Sequence, residues 1–201
     1  MERYVVLTND IDHIERDRLA FLDLCRIFFG WELSHYLPMT YHFHSGYWRT
    51  VEEEAAFIIG CQELPDNNRE GKTEQRLVID NVEEFLRRWE LTDYRDYNID
   101  HLSGGWRKFL SLALFANIRH PGAVFFDLGR QLSARLIRLF VCNIAEVGAC
   151  DVALFVEYDT QRLIEAFDDF TPIYDLGDRF SFEPWALPND GRPLGNNYVR
   201  T

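Results

Sequence analysis

The sequence predicts an α/β domain built around a parallel β-sheet. Residues 123–127 and 151–156 are almost continuously apolar, and each segment is followed by residues with helical spacing, at 134–146 and 162–167. Strands buried on both faces are typical of parallel sheets, and the alternation of strands with helices is typical of βαβ units. A chain of 201 residues is long enough for one such domain, with room for a small inserted subdomain.

The N-terminal part has the element order of a nucleotide-binding domain but lacks the phosphate loop. Residues 4–8 are predicted to form a strand, and residues 19–29 an apolar helix that ends at Gly30. A phosphate loop between them would need glycines for close backbone approach and a lysine for charge. The intervening residues 9–18 contain neither, and four of them are acidic, so we expect no phosphate cradle there.

The stretch near residues 31–60 is predicted to form a small antiparallel β subdomain. Residues 41–44 and 47–50 alternate like the two strands of a hairpin, and residues 55–62 have the pattern of a buried strand that ends at Gln62.

The three histidines of this part lie at positions 35, 42 and 44, with no carboxylate at a convincing partner spacing. We therefore expect packed or solvated histidines and no metal site.

A helical insert is predicted from about residue 63 to residue 101. Within it, residues 82–89 place their apolar side chains on one helical face, and residues 91–101 form a polar connection. At the other end of the chain, residues 173–176 are strand-like. The tail 184–201 is rich in proline, glycine and asparagine, so we expect residues 1–183 to form the domain and the tail to form an extended arm.

The motif Leu102-Ser103-Gly104-Gly105 precedes an apolar helix at 107–117. Glycines at a helix N-terminus can present several backbone N–H groups to an anion, because they have no Cβ and the helix dipole is positive at that end. Simple capping of the helix by Ser103 explains the same residues equally well. The motif alone leaves both interpretations open.

Composition excludes several classes of partner. The formal net charge is -12, which argues against nucleic acid or an acidic membrane surface as the main partner. No apolar run is long enough to span a bilayer, and the first residues do not resemble a secretory signal. The four cysteines are scattered without a close pair, which favours free thiols in a reducing cytoplasm.

Several of these motifs, taken in order, resemble the ATP-binding-cassette (ABC) ATPase domain. Residues 102–105 match the family's signature sequence, Gln62 stands at the place of its Q-loop glutamine, and residues 124–127 are similar to the strand of its Walker B motif. The resemblance covers about residues 5–177. It implies a P-loop NTPase-like three-layer α/β sandwich whose nucleotide-site residues are Leu102, Ser103, Gly104, Gly105, Gln62 and Asp127.

The chain departs from the family pattern at several positions. The Walker A loop is missing between residues 8 and 19, Leu128 stands where the family has its catalytic glutamate, and Tyr158 replaces its switch histidine. Trp106 occupies a position that is usually polar. Leucine cannot polarise a water, and phosphoryl transfer depends on positioning and charge stabilisation.

The resemblance therefore implies a degenerate domain, with two functional hypotheses. In the family, a nucleotide is held between the Walker A side of one subunit and the signature of the other. The first hypothesis is a non-hydrolysing pseudo-ATPase subunit that binds no cofactor in its own site, pairs with an ABC paralogue or an associated enzyme, and shares ATP and magnesium held by that partner. A weaker form of it is a scaffold without nucleotide. The alternative is an ATP-hydrolysing subunit of an ABC transporter.

Overall fold

A computed structural model describes the chain at residues 2–7, 33–37, 49–62, 77–157, 159–167, 173–176 and 182–185. These residues contain six strands and five α-helices. In chain order the elements are β1 (Glu2–Leu7), β2 (Leu33–Leu37), α1 (Val51–Gln62), α2 (Val82–Arg88), 3-10 turns at Thr92–Tyr94 and Ile99–His101, α3 (Gly104–Ala116), β3 (His120–Asp127), α4 (Ala134–Val147), β4 (Cys150–Glu157), α5 (Thr160–Ala166), β5 (Ile173–Leu176) and β6 (Phe182–Trp185).

The strands form one sheet in the order β2-β3-β4-β1-β5-β6. All neighbours from β2 to β5 run parallel, and only β6 is antiparallel, to β5. The predicted parallel sheet is therefore confirmed. The strand that comes first in sequence lies inside the sheet, between β4 and β5.

Aromatic rings join the helices to one face of the sheet. Phe126 of β3 and Phe155 of β4 are register partners whose ring centroids lie 5.6 Å apart. Phe140 of α4 contacts both rings, at 5.3 and 6.2 Å, and Phe115 of α3 contacts Phe126 at 6.2 Å. Helices α3 and α4 thus cover the same patch of β3 and β4, which fixes their N-terminal ends beside the end of β3.

Residues 51–62 form a helix, so the prediction of a buried strand ending at Gln62 is wrong. Thr50 and Glu53 form a capping box: the Thr50 N–H donates to Glu53 Oε2 at 2.9 Å, and the Glu53 N–H donates to Thr50 Oγ1 at 3.2 Å. The buried positions Val51, Ala55 and Ile58 then recur at helical spacing. A short apolar run fits either element, and here the cap at its start decides for the helix.

The antiparallel subdomain predicted near residues 31–60 is also wrong where the structure describes it. Residues 33–37 form β2, which pairs in parallel with β3 at the edge of the main sheet, and residues 51–62 form α1. Of the hairpin predicted at residues 41–50, only Arg49 and Thr50 are described, and Thr50 forms an isolated antiparallel bridge with Asn98. Aromatic alternation indicates a strand but carries no information about which neighbour that strand pairs with.

A helical region packs around Trp89, directly after α2. Trp89 is fully buried, and its ring lies against Phe85 of α2, Phe109 of α3 and Phe140 of α4. The helix predicted at residues 82–89 is thus confirmed. Helix α1 packs against α2 and α3, so the helical region includes α1, upstream of the predicted insert.

Asn117 connects this region to the segment before α2. Its side-chain amide donates to the Ile79 carbonyl at 2.8 Å and accepts from the Ile79 N–H at 3.0 Å, and its own carbonyl accepts from the Val78 N–H at 2.8 Å. Asn117 is almost fully buried, so these bonds satisfy polar groups that water cannot reach.

The C-terminal arm was predicted to begin at residue 184, but the sheet extends to residue 185. Pro184 and Trp185 belong to β6, where they lie opposite Tyr174 and Ile173 of β5. A proline is tolerated there because β6 is an edge strand. Residues 186–201 lie outside the described part. Among the described residues, no helix combines the length and apolar character that a bilayer crossing needs.

Candidate functional site

The direction of the chain connections reverses at β1, which marks one end of the sheet as the candidate site. The connection from β1 runs towards β2, whereas those from β2, β3 and β4 run the opposite way across the sheet. In open α/β sheets, ligands bind beside the carboxyl ends of the strands at such a reversal. At this edge the register places Leu7 opposite Glu157 and Asp175, and Asp127 opposite Val156. An acidic residue is therefore the last residue of β3 and of β4, and the next-to-last residue of β5.

The Ser103 side chain caps helix α3. Its Oγ accepts from the Trp106 N–H at 3.4 Å, and Ser103 itself is exposed at the start of the helix. The capping interpretation of Ser103 is thus confirmed. It leaves the N–H groups of Gly104 and Gly105 without an acceptor among the described residues, and the first turn contains no acidic side chain. This end of α3 therefore keeps free donors and an uncompensated positive dipole.

Gly105 packs directly against the turn that follows β3. A Cβ at Gly105 would lie 2.7 Å from the carbonyl oxygen of Gln131, closer than a carbon and an oxygen can approach. A Cβ at Gly104 would lie 3.3 Å from the Gln131 side-chain oxygen. The second glycine is therefore required by close packing, whatever it binds. The same contact brings Ser103, Gly104 and Gly105 next to the loop after Asp127.

Asp127 ends β3 and is completely buried. Its Oδ1 accepts from the Gly129 N–H at 2.9 Å. The Arg162 guanidinium donates to the Gly129 carbonyl at 2.8 Å, so α5 also holds this turn. Leu128, at the place where the resemblance expects a catalytic glutamate, is itself fully buried in the hydrophobic core. The side chain after Asp127 therefore fills the core and offers no group that could act on a water.

Lys108 of α3 is a charged residue that the sequence analysis missed. Its side chain is only 7% exposed. Burial lowers the pKa of Lys108 to about 8, and the negative charge of Asp127 acts in the opposite direction. The missed signal was a lysine within an otherwise apolar helical run, three residues after Gly105.

Trp106 extends an aromatic cluster on the helical region. Its ring centroid lies 4.4 Å from that of Tyr94 and 5.5 Å from that of Phe109, and the Tyr94 ring continues to the half-exposed Tyr97 at 5.5 Å. An aromatic residue in place of the usual polar one is thus explained by packing against these neighbours.

Of the remaining positions that the sequence analysis singled out, the structure describes some and not others. Leu102 is buried just before the cap, and Gln62 is the last residue of α1 rather than the end of a strand. The role of Gln62 in a nucleotide site stays a prediction. Tyr158 and the segment 8–19 lie outside the described residues, as does the predicted helix at 19–29.

Comparison with known proteins identifies the fold. No protein-family model matches the chain, and no curated protein matches it. Among solved structures, the chain is similar to an ABC transporter in an inward-facing conformation, with 11% identity and a TM-score of 0.56 over 92% of this chain and 72% of the other. It is also similar to cbiO1 from Clostridium perfringens, part of the ABC transporter complex cbiONQ, with 14% identity and a TM-score of 0.51 over 87% and 72% of the two chains.

A third similar structure is an ATP-binding cassette of an ABC transporter, at 12% identity and a TM-score of 0.50 over 86% of this chain and 76% of the other. At such identities the likeness concerns the fold. The chain has the fold of the ABC ATP-binding cassettes, and the expected P-loop NTPase-like α/β fold is confirmed.

Proposed function

We propose that this chain is a non-hydrolysing, ABC ATPase-like subunit that works in the cytoplasm together with another protein. In this proposal, the N-terminal end of α3 contacts the terminal phosphate of an ATP molecule held by that partner. Ser103, Gly104 and Gly105 form the contact, and the partner supplies the phosphate loop and the magnesium.

The observation that carries the proposal is the contrast between the two halves of a nucleotide site. The α3 terminus has unengaged glycine N–H groups and no acidic residue in its first turn, which suits an anion. The side chain after Asp127 is a buried leucine, and the segment after β1 has no glycine or lysine in its sequence. One half thus keeps its binding chemistry, and the other lacks the groups that catalysis requires.

The test compares two substitutions that add the same charge at helix caps. Ser103→Asp keeps a capping oxygen on α3 but places a carboxylate where the phosphate would lie. Asn81→Asp is the matched control, since Asn81 caps α2 in the same way by accepting from the Glu84 N–H at 3.0 Å. Both variants should fold, because an aspartate caps a helix as well as serine or asparagine does.

The tagged chain is used to capture proteins from the native host with ATP and Mg²⁺, or with EDTA and no nucleotide. A retained ATP-binding protein is then identified by mass spectrometry and purified, and its affinity for each variant is measured. We expect ATP-dependent binding to the unmodified chain and to Asn81→Asp, and binding at least about tenfold weaker to Ser103→Asp. Equal affinities for the two variants would exclude a phosphate contact at α3. Tight, Mg²⁺-dependent ATP binding by the chain alone would contradict the proposal as a whole.

The alternative is a subunit that hydrolyses ATP, and the presence of Asp127 and of a signature favours it. It predicts steady-state phosphate release by the isolated chain, lost in Asp127→Asn. We expect no release above background from either protein.

A further inference from the structure

Tyr97 is the large hydrophobic side chain that stands out as exposed in the described part of the chain, with 51% of its surface accessible. It is the outer end of a row of rings. Its ring centroid lies 5.5 Å from that of Tyr94, which lies 4.4 Å from that of Trp106, and Trp106 in turn contacts the buried Phe109. We call Tyr94, Tyr97 and Trp106 the aromatic platform, since these rings lead from the core to the surface.

Backbone hydrogen bonds hold the platform against the start of α1. The Val51 N–H donates to the Tyr97 carbonyl at 3.1 Å, and the Glu52 N–H donates to the Arg95 carbonyl at 3.0 Å. The Tyr97 N–H donates to the Tyr94 carbonyl at 2.9 Å. The first bonds also engage N–H groups that have no partner within α1 itself. An aromatic ring on a backbone fixed in this way loses little conformational entropy when a partner binds it.

The segment that carries Tyr94 and Tyr97 bears uncompensated negative charge. Arg95 is the one cation of residues 92–100, and its guanidinium pairs with Glu52 at 2.6 Å and with Glu83 at 3.0 Å. The same segment contains three exposed carboxylates that form no ion pair with any described residue, and they are Asp93, Asp96 and Asp100. Any ligand of the platform therefore approaches a ring that is flanked by negative charge.

This combination favours a cationic side chain as the ligand. A guanidinium or ammonium group is attracted to the face of an aromatic ring, and nearby carboxylates add to that attraction. The same carboxylates repel nucleic acid and anionic lipid. Tyrosine, tryptophan and arginine are also the side chains that contribute most to binding at protein interfaces.

We propose that the aromatic platform docks an arginine- or lysine-bearing segment of a partner protein, with the cationic side chain over the Tyr97 ring and beside the neighbouring aspartates. The platform begins in the turn that Ser103 caps, because the Ser103 Oγ accepts from the Trp106 N–H. One partner can therefore reach both places. The inference nevertheless goes beyond the proposed phosphate contact, since it concerns a peptide ligand and holds without nucleotide.

The test selects random linear peptides, displayed on phage, against the full chain in the absence of ATP. We expect the retained peptides to be enriched in arginine and lysine relative to the unselected library. Synthetic copies of these peptides should bind Tyr97→Phe as well as the unmodified chain, because the ring is kept. Their affinity should fall at least about tenfold in Tyr97→Ser and about two- to fivefold in Asp96→Asn.

Glu165→Gln is the matched control for charge. It also removes one exposed carboxylate, but from α5, which packs against α4 and β4, so the peptide affinity should not change. A Tyr97→Ser variant that binds the peptides as tightly as the unmodified chain would overturn the inference. So would a selection that yields no binding peptide, or peptides without an excess of arginine and lysine.

Sedimentation of the unmodified chain and of Tyr97→Ser tests the other occupant, a second copy of the chain. We expect both proteins to sediment alike. A dimer that Tyr97→Ser dissociates would assign the platform to the second copy and overturn the inference. Because none of these measurements contains nucleotide, their outcome is independent of the comparison of Ser103→Asp with Asn81→Asp.

Discussion

Replacing Gly105 with alanine should destabilise the free chain, although alanine favours a helix. The added Cβ would lie 2.7 Å from the Gln131 carbonyl oxygen, much closer than the 3.4–4 Å of an ordinary van der Waals contact. Because that oxygen belongs to the backbone, the α3 terminus or the turn after β3 must move. Overpacking of this kind costs about 1–3 kcal/mol, and the gain in helix propensity returns only about 1 kcal/mol. We therefore expect a net loss of up to about 2 kcal/mol, with a decrease in Tm of up to about 8 °C.

The chain contains matched controls for this substitution. Gly60 lies in α1, and a Cβ added there would meet no atom within 4 Å, so Gly60→Ala should raise stability by about 0.5–1 kcal/mol. Gly148 also has open space but a φ of +64°, so Gly148→Ala should lose about 1–2 kcal/mol through backbone strain alone. Gly104→Ala should be close to neutral, since its Cβ would meet only the movable end of the Gln131 side chain.

Urea and thermal unfolding of the four variants, without nucleotide, measure these differences. Opposite signs for Gly105→Ala and Gly60→Ala would show that the signature glycine is required by packing in the free chain. If Gly105→Ala stabilised the protein as much as Gly60→Ala does, the close approach to Gln131 would be refuted, and the need for glycine would have to be sought in ligand binding.

Three further substitutions and a thiol reagent test other contacts. Ser103→Ala removes the cap of α3 and should cost about 1 kcal/mol in urea unfolding. Asn117→Ala leaves the Ile79 N–H and carbonyl without their buried partner and should cost about 2–4 kcal/mol in the same assay, a loss that a value below about 1 kcal/mol would contradict. Thiol reagents should modify the exposed Cys142 far faster than Cys150, because burial raises the pKa of Cys150 to about 12. The folded pKa of Cys150 exceeds the unfolded value of 9.0, so the stability that this thiol contributes is present below pH 9 and is lost as the pH rises towards 12. In Cys150→Ala, this part of the decrease in unfolding free energy between pH 9 and pH 12 should be absent.

The parts of the fold that sequence predicted well carry both a periodic pattern and end signals. Helix α4 has Ser133 at its start, whose Oγ accepts from the Leu136 N–H at 3.3 Å, and Gly148 in a left-handed conformation at its end. The buried strands β3 and β4 were predicted for a similar reason, since their continuous apolar runs fit a central position in a sheet. The segment at 51–62 has a start signal as well, the Thr50–Glu53 capping box, but its apolar run favoured a strand when that signal was not weighed.

The candidate site could be predicted only in part, because the decisive contacts join distant segments. The motif at 102–105 is visible in the sequence, but the carbonyl that requires Gly105 belongs to Gln131, 26 positions later. The interaction between Lys108 and Asp127 likewise depends on how α3 lies across β3. No local pattern contains that crossing, so a lysine in an apolar run could be noticed but its burial beside the end of β3 could not be predicted.

The position of β1 has a consequence for how this chain folds. Residues 2–7 pair with residues 152–157 on one side and, through Val5–Leu7, with residues 173–175 on the other. During synthesis, β1 must therefore wait for about 150 more residues before either neighbour exists. Pairings across such sequence separations make folding slow. Until β4 arrives, β1 has two unpaired edges, and a chaperone that shields it during synthesis would raise the yield of native protein.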